Sequence, residues 1–261
     1  MEPSLLSLRR DGAVAHVTLA RPEVRNAFNA ALIAELQTAF ELLGGDPSVR
    51  VVVLAGAGKI FCGGADVRWM RASLDLGRAE NREDARAMSR MFRTIDRLPK
   101  PVVGRIHGAA LGGGAGLAAV CDVAIASSET LFGFTETKLG ILPAVISPFV
   151  LAKIGFSHAR ALALTGERFA AARALAIGLI HEVVASEAQL DTAVARIAAE
   201  VLSASPTGIA ATKSLFERVR ESDYDTTLEL TAEAIATQRT SAEGQAGLRA
   251  FLEKRPPEWA T

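Results

Sequence analysis

The hydrophobic positions fall into two regimes that meet near residue 185. In the first, short runs of strand and helix period alternate. Ser4 to Leu8 and Ala13 to Leu19 alternate apolar with polar side chains, which predicts two half-buried strands joined by a hairpin turn at Asp11-Gly12. Arg21-Pro22 breaks the second strand and opens a loop ending in Arg25-Asn26-Ala27-Phe28-Asn29. Asn29 suits the N-cap of a helix with Leu32, Leu36, Ala39 and Leu43 on one face, and Gly44-Gly45 reads as its stop. Val49 to Ala55, apolar except for Arg50, predicts a strand covered on both faces. A glycine-rich turn, Gly56 to Asp66, then enters a helix near Val67 that contains Trp69 and Met70. Leu74 to Asp84 is charged and weakly periodic and reads as a mobile surface segment, whereas Ala85 to Leu98 regains helical spacing.

Lys100 to Pro148 is the stretch around which the chain is organised. It predicts a strand over Val102 to Ile106, a glycine turn, a helix start, a second buried strand, and then a lone carboxylate, Glu136, in a loop rich in Gly and Thr. Short helices follow over Phe149 to Ile154 and His158 to Leu164, parted by Gly155, then a helix over Ala170 to Ala176 and a strand over His181 to Val184. The second regime is wholly helical, with helices over 187–203, 206–219, 225–239 and 241–253. The expected fold class is α/β: a core over residues 1–185 of repeated strand, strand, helix units, arranged as a spiral or in layers, and a helical segment over 186–261.

Composition narrows the functional classes. Lys plus Arg and Asp plus Glu both number 29, so no net charge steers the chain towards nucleic acid or an acidic membrane, and no basic stripe stands out. No apolar run is long enough to span a membrane, and Met1 to Arg10 lacks the apolar centre of a signal peptide. The two cysteines, Cys62 and Cys121, suit a reducing compartment, and the expected location is cytoplasmic. His16, His158 and His181 lack metal-ligand spacing, so no metal site is expected.

The chemistry concentrates in the glycine turns. Gly112-Gly113-Gly114 precedes a helix, where free backbone N–H groups favour negative charge. Ala65, just before the helix at Val67, offers a second such amide. Glu136 sits among few other charges, so burial would lift its pKa and suit it to acid/base work. Helix capping is the ordinary reading of Asp66, a packed hydrogen-bonded position that of His107, a buried pairing or cap that of Asp122, and a small packed hydrophobe that of Cys62.

Three segments together resemble the enoyl-CoA hydratase/isomerase superfamily, the crotonase fold. They are Arg25 to Asn29, similar to an RNALN-like motif; Phe61 to Asp66, similar to F-x-x-G-A-D; and Lys100 through Gly108-Ala109-Ala110-Leu111-Gly112-Gly113-Gly114 to Cys121-Asp122, continuing through Phe132-Gly133 and Glu136 to Pro143. The resemblance implies a spiral of ββα units, C-terminal helices that build a homotrimer or a dimer of trimers, and an acyl-CoA thioester substrate. Coenzyme A enters with that substrate, and no separate cofactor is implied. It further implies an oxyanion hole from the amides of Ala65 and Gly113, Glu136 as catalytic carboxylate, and substrate contacts from Arg25, Ala27, Gly64, Asp66, Val67, Arg68 and Gly112.

Two departures bear on the reaction. Many hydratases carry a second glutamate where this chain has Gly116, and Ala144-Val145-Ile146-Ser147 replaces a Gly-Gly-Thr-Gln-like run. Glu136 to Ile141 with the following Pro-Ala-Val-Ile-Ser-Pro looks like the branch acting on methylglutaconyl-type thioesters. The expected activity is therefore an enoyl-CoA hydratase, with a single-base enoyl-CoA isomerase and a non-catalytic acyl-CoA binder as the alternatives.

Overall fold

A computed structural model describes residues 5–260. The strands are β1 (Leu6–Asp11), β2 (Val14–Leu19), β3 (Val51–Gly56), β4 (Val102–Ile106), β5 (Ala109–Leu111), β6 (Val123–Ser127), β7 (Leu131–Gly133), β8 (Arg168–Ala170) and β9 (Glu182–Val184). The helices are α1 (Ala30–Gly45), α2 (Val67–Ala72), α3 (Arg78–Asp96), α4 (Gly113–Val120), α5 (Ser147–Thr165), α6 (Ala171–Ala176), α7 (Leu190–Ser203), α8 (Pro206–Glu221), α9 (Tyr224–Thr240) and α10 (Ala242–Leu252). The expected start of the first strand, Ser4, lies outside the described residues.

The strands form two sheets. The larger has the order β1-β2-β3-β4-β6-β9, antiparallel only at the β1–β2 hairpin; the smaller has the order β5-β7-β8. Isolated parallel bridges, Phe28 to Ala65 and Cys62 to Ala110, extend the small sheet towards the N-terminal part of the chain. The chain thus lays a strand in the large sheet, a shorter extended piece in the small one, and a helix outside. It does so from β2 to α1, β3 to α3, β4 to α4 and β6 to α5. This is the expected spiral of ββα units.

Sequence character explains each layer. In β2 the buried positions are Ala15, Val17 and Leu19, as alternation requires, while all six residues of β3 are buried. The main core lies between the sheets and α1, α3, α4 and α5, with Phe28, Phe92 and Phe149 in aromatic contact. A second cluster joins Leu190, Ala193, Val194 and Ala198 of α7 to Val51, Val53, Val103 and Ile125, so core packing continues past residue 185 to Leu202.

Several expectations need correction. Helix α1 runs through Gly44-Gly45 to an Asp46 cap. Gly44 instead permits close packing, since a Cβ there would stand 3.2 Å from Leu98 Cδ1. The segment expected to be mobile, Leu74 to Asp84, contains the start of α3, whose Glu80 carboxylate accepts from the Gly77 amide at 2.7 Å. Its exposed face is built from Arg, Glu and Ala, which favour helix without leaving an apolar period. That face also carries Arg78, Arg82, Arg86, Arg90 and Arg93 at three- and four-residue spacing, so a row of arginines does exist. Four acids on the same helix, Glu80, Glu83, Asp84 and Asp96, reduce its net charge to +1. Strand β8 was not expected. The Phe149 to Leu164 pair is, as expected, two helical pieces parted by Gly155, whose φ of 71° and ψ of 164° are not helical, and α5 spans both. Among the described residues no helix is long and apolar enough to cross a membrane.

Asn26 ties the first turns of the spiral together. It is fully buried in the left-handed region (φ 54°), accepts from the Arg21 amide at 2.9 Å, and donates to the carbonyls of Ala57 (2.8 Å) and Ile60 (2.9 Å). Asn26→Ala should remove three buried hydrogen bonds and strain the backbone. The expected loss is about 3 kcal/mol, read in thermal unfolding as a melting point roughly 9 °C lower.

Candidate active site

The glycine turn between β5 and α4 builds one wall of the site. Gly112 adopts φ 52°, ψ −119°, and its amide donates to the Gly133 carbonyl at 2.8 Å, joining the turn to β7. Gly113 follows as the first residue of α4. Its lack of a Cβ is required, because one would stand 2.9 Å from both Phe28 Cε2 and Met88 Cε.

Gly64, at φ 94°, brings the second wall in. A Cβ on it would come within 2.9 Å of the Leu111 carbonyl oxygen, so the two loops meet backbone to backbone. The Phe28 amide donates to the Gly64 carbonyl at 2.7 Å and the Asp66 amide to the Phe28 carbonyl at 2.8 Å, which turns the intervening Ala65 amide the other way. Neither the Ala65 nor the Gly113 amide has an acceptor among the described residues. Gly113 is the first residue of α4, where an unpaired N–H favours negative charge, and Ala65 precedes the Asp66 cap of α2.

Glu136 begins a 3-10 turn, Glu136–Leu139, closed by Gly140 in the left-handed conformation. Thr137 anchors this turn by donating its hydroxyl to the Ala163 carbonyl at 2.8 Å. The carboxylate approaches the glycine turn closely: Oε1 lies 3.2 Å from where a Gly112 Cβ would sit. Oε2 is buried and has no hydrogen-bond partner. Burial therefore raises the Glu136 pKa above the ordinary carboxyl value, with only its own backbone amide acting in the opposite direction. The result is a half-buried carboxyl group beside the glycine turn that starts α4.

The remaining candidates separate into buried supports and an exposed rim. Both oxygens of Asp66 are engaged within the protein: Oδ1 accepts from the Arg68 amide at 2.8 Å, and Oδ2 pairs with Arg21 at 2.8 Å. With 6 % exposure its side chain holds the loop, as the helix-capping reading of the sequence has it. Burial opposes ionisation of Asp66, but the Arg68 amide and the Arg21 guanidinium outweigh it and hold its pKa below the usual value. Ala27, Gly64 and Gly112 are buried, whereas Arg25, Ala65, Val67 and Arg68 are exposed at the rim.

The residues read as structural in the sequence have structural surroundings. His107 is 1 % exposed and donates from Nε2 to the Gly58 carbonyl at 2.9 Å. Asp122 accepts from the Val102 amide at 2.7 Å and pairs with Lys213 at 2.6 Å. Burial pushes the Cys62 thiol up to about 12, which leaves almost no thiolate at neutral pH.

Sequence reasoning missed one feature. At Gly116, one helical turn after Gly112, a Cβ would stand 2.4 Å from Ile146 Cγ2, 3.0 Å from Ile146 Cβ and 3.1 Å from Phe92 Cζ. The two departures in the sequence, Gly116 and the 144–147 loop, are therefore two sides of one contact. Their coincidence in a single chain was the only signal available.

The family model described as enoyl-CoA hydratase/isomerase matches residues 9–261. A short-chain-enoyl-CoA hydratase of Clostridium acetobutylicum is 34% identical, over 99% of this chain and 98% of its own. A peroxisomal Delta(3,5)-Delta(2,4)-dienoyl-CoA isomerase of Arabidopsis thaliana is 31% identical, over 96% of this chain and 94% of its own. Among solved structures, an enoyl-CoA hydratase from Shewanella pealeana superposes with a TM-score of 0.95 at 38% identity, covering 99% of this chain and 97% of that one.

The two carboxyl groups respond to pH with opposite signs. The raised pKa of Glu136 means that native stability declines as pH climbs from the unfolded carboxyl value through the folded one. Glu136→Gln should thus melt higher than the parent at pH 7, the gap closing below about pH 4. The lowered pKa of Asp66 gives stability that is present above the unfolded value and lost as pH falls through the folded one. Asp66→Asn should melt lower at pH 7, with the gap narrowing in acid; melting curves between pH 3 and 8 read both.

Proposed function

The chain belongs to the enoyl-CoA hydratase/isomerase family, and we propose that it hydrates a 2-enoyl-CoA thioester with Glu136 as its acid/base. The observation that carries this reading is the buried, unpartnered Glu136 oxygen beside the Gly112-Gly113 turn. In the forward direction the Glu136 carboxylate takes a proton from water while the water oxygen bonds to C3. The electron pair of the C2=C3 bond moves towards the thioester, and the oxyanion that develops is held by the amides of Ala65 and Gly113. Glu136 then returns the proton to C2, so one water is added and the enzyme is restored. Loss of one such oxyanion donor typically costs on the order of 10²–10³ in rate.

The other assignments complete the scheme. Arg25 and Arg68 at the exposed rim offer cations to the coenzyme A phosphates, with Val67 lining the same approach. Asp66, Ala27, Gly64 and Gly112 shape the loops behind them. The reaction needs no group beyond protein and substrate. The loop after Glu136 favours a branched, methylglutaconyl-type acyl group. A homotrimer or a dimer of trimers would cover the apolar side chains exposed beside the site (Leu142, Phe156 and Leu164) and on the C-terminal helices (Phe216, Phe251 and Leu252).

A second reading has its own support. With Gly116 in place of a second carboxylate, one base suffices to move a proton between C2 and C4, which is isomerisation. The test follows the conjugated thioester absorbance: crotonyl-CoA and 3-methylglutaconyl-CoA should lose it through uptake of solvent oxygen. A 3-enoyl-CoA that gains conjugation without oxygen uptake, with neither 2-enoyl ester hydrated, would favour isomerisation instead. Glu136→Gln should lower turnover by about 10²–10⁴-fold, and a variant within tenfold of the parent would refute the acid/base role.

A further inference from the structure

We infer that Ile146 keeps a second side chain out of position 116 and thereby specifies a one-carboxylate site. The inference starts from the geometry of α4. Gly116 donates its amide to the Gly112 carbonyl at 3.0 Å, which places it one helical turn beyond the residue against which Glu136 rests. Gly112 is itself not helical, so the spacing sets position 116 one turn beyond the residue that Glu136 rests on without fixing the direction of a side chain there. A side chain long enough to carry a carboxylate from 116 would have to pass Ile146 to reach the same site.

The volume beside Gly116 already belongs to Ile146, which is 2 % exposed. Its Cγ2 would lie 2.4 Å and its Cβ 3.0 Å from a Cβ at 116. The Cγ2 approach is the severe one, since a side chain only 2 % exposed has little room to turn, whereas the 3.0 Å contact with Cβ needs a few tenths of an ångström of give. The backbone cannot retreat freely, because the Ile146 carbonyl accepts the Val150 amide at 3.0 Å and so opens α5. The third neighbour, Phe92 Cζ at 3.1 Å, is the tip of a ring and can yield. Ile146 is thus the specific obstacle, and glycine is the residue that fits beneath it despite weakening a helix interior.

The consequence for chemistry rests on the role proposed for Glu136. With no carboxylate at 116, both proton transfers fall to one group. Ile146 is a specificity-determining residue in that sense, acting by exclusion and donating nothing itself.

A melting-point cycle on the full chain tests the packing without reference to activity. Gly116→Ala should lower the melting point by about 5 °C in the parent. In an Ile146→Ala background the same change should cost under about 2 °C. Equal losses in both backgrounds would overturn the inference. The chemical arm compares the pH dependence of kcat/KM for crotonyl-CoA. Ile146→Ala should retain the parent's single carboxyl ionisation, and Gly116→Glu combined with Ile146→Ala should acquire a second. Gly116→Glu alone folding and turning over like the parent would refute the exclusion. If the parent hydrates no enoyl thioester, the proposed function fails while the melting cycle still decides whether Ile146 excludes a side chain at 116.

Discussion

The fold depends on strips of backbone lying against one another without side chains between them. The Cys62 amide donates to the Ala109 carbonyl at 3.1 Å, and the Leu111 amide to the Cys62 carbonyl at 3.0 Å. A Cβ on Gly114 would reach within 2.4 Å of that same Cys62 oxygen, and one on Gly108 within 2.1 Å of the Lys59 carbonyl oxygen. Such approaches are open only to glycine. They seat the turn of one spiral unit on the next, so the helix start at Val67 and the helix start at Gly113 rise from the same edge of the small sheet. The unpaired amides of Ala65 and Gly113 thus lie on adjoining loops of the spiral.

This constraint leaves little freedom to the residues around it. Asn26 must be small, left-handed and doubly polar, because it closes the gap between the Arg21 and Ile60 loops. Asp66 caps α2 and binds Arg21, adding side-chain bonds to the backbone pairing with Phe28 that sets the register of the loop carrying Ala65. Glu136 is treated differently. It comes from a turn anchored by Thr137 on α5, and its Oε2 is left without a partner. A buried polar group without a partner normally costs free energy, and the surrounding packing tolerates that cost here.

Much of this was legible in the sequence because glycine and helix-cap residues carry their geometry with them. The strand at Val102 to Ile106, the caps at Asn29 and Asp66, and the C-terminal helices follow from local chemistry that tertiary contacts only reinforce. The small sheet was far harder to read. Its strands are three residues long, too short for alternation, and the unexpected β8 exists because β7 offers it an edge at Phe132 opposite Phe169. The arginine row on α3 was hidden for a different reason. Interleaved acids mask it in any charge count, and it becomes visible only once the residues are known to share a helix.

Gly116 marks the limit of such reading. On its own it is a glycine inside a helix, and the change at 144–147 is a loop of different composition. Neither explains the other until the chain is folded and Ile146 is found over the missing side chain. A glycine at 116 with no side chain over it would leave a cavity, and Ile146 could not take this position over a larger residue at 116. The pair therefore behaves as one structural unit divided between α4 and the entrance to α5. It sets how many carboxylates the site can hold, while the backbone amides that accompany them are fixed by the spiral.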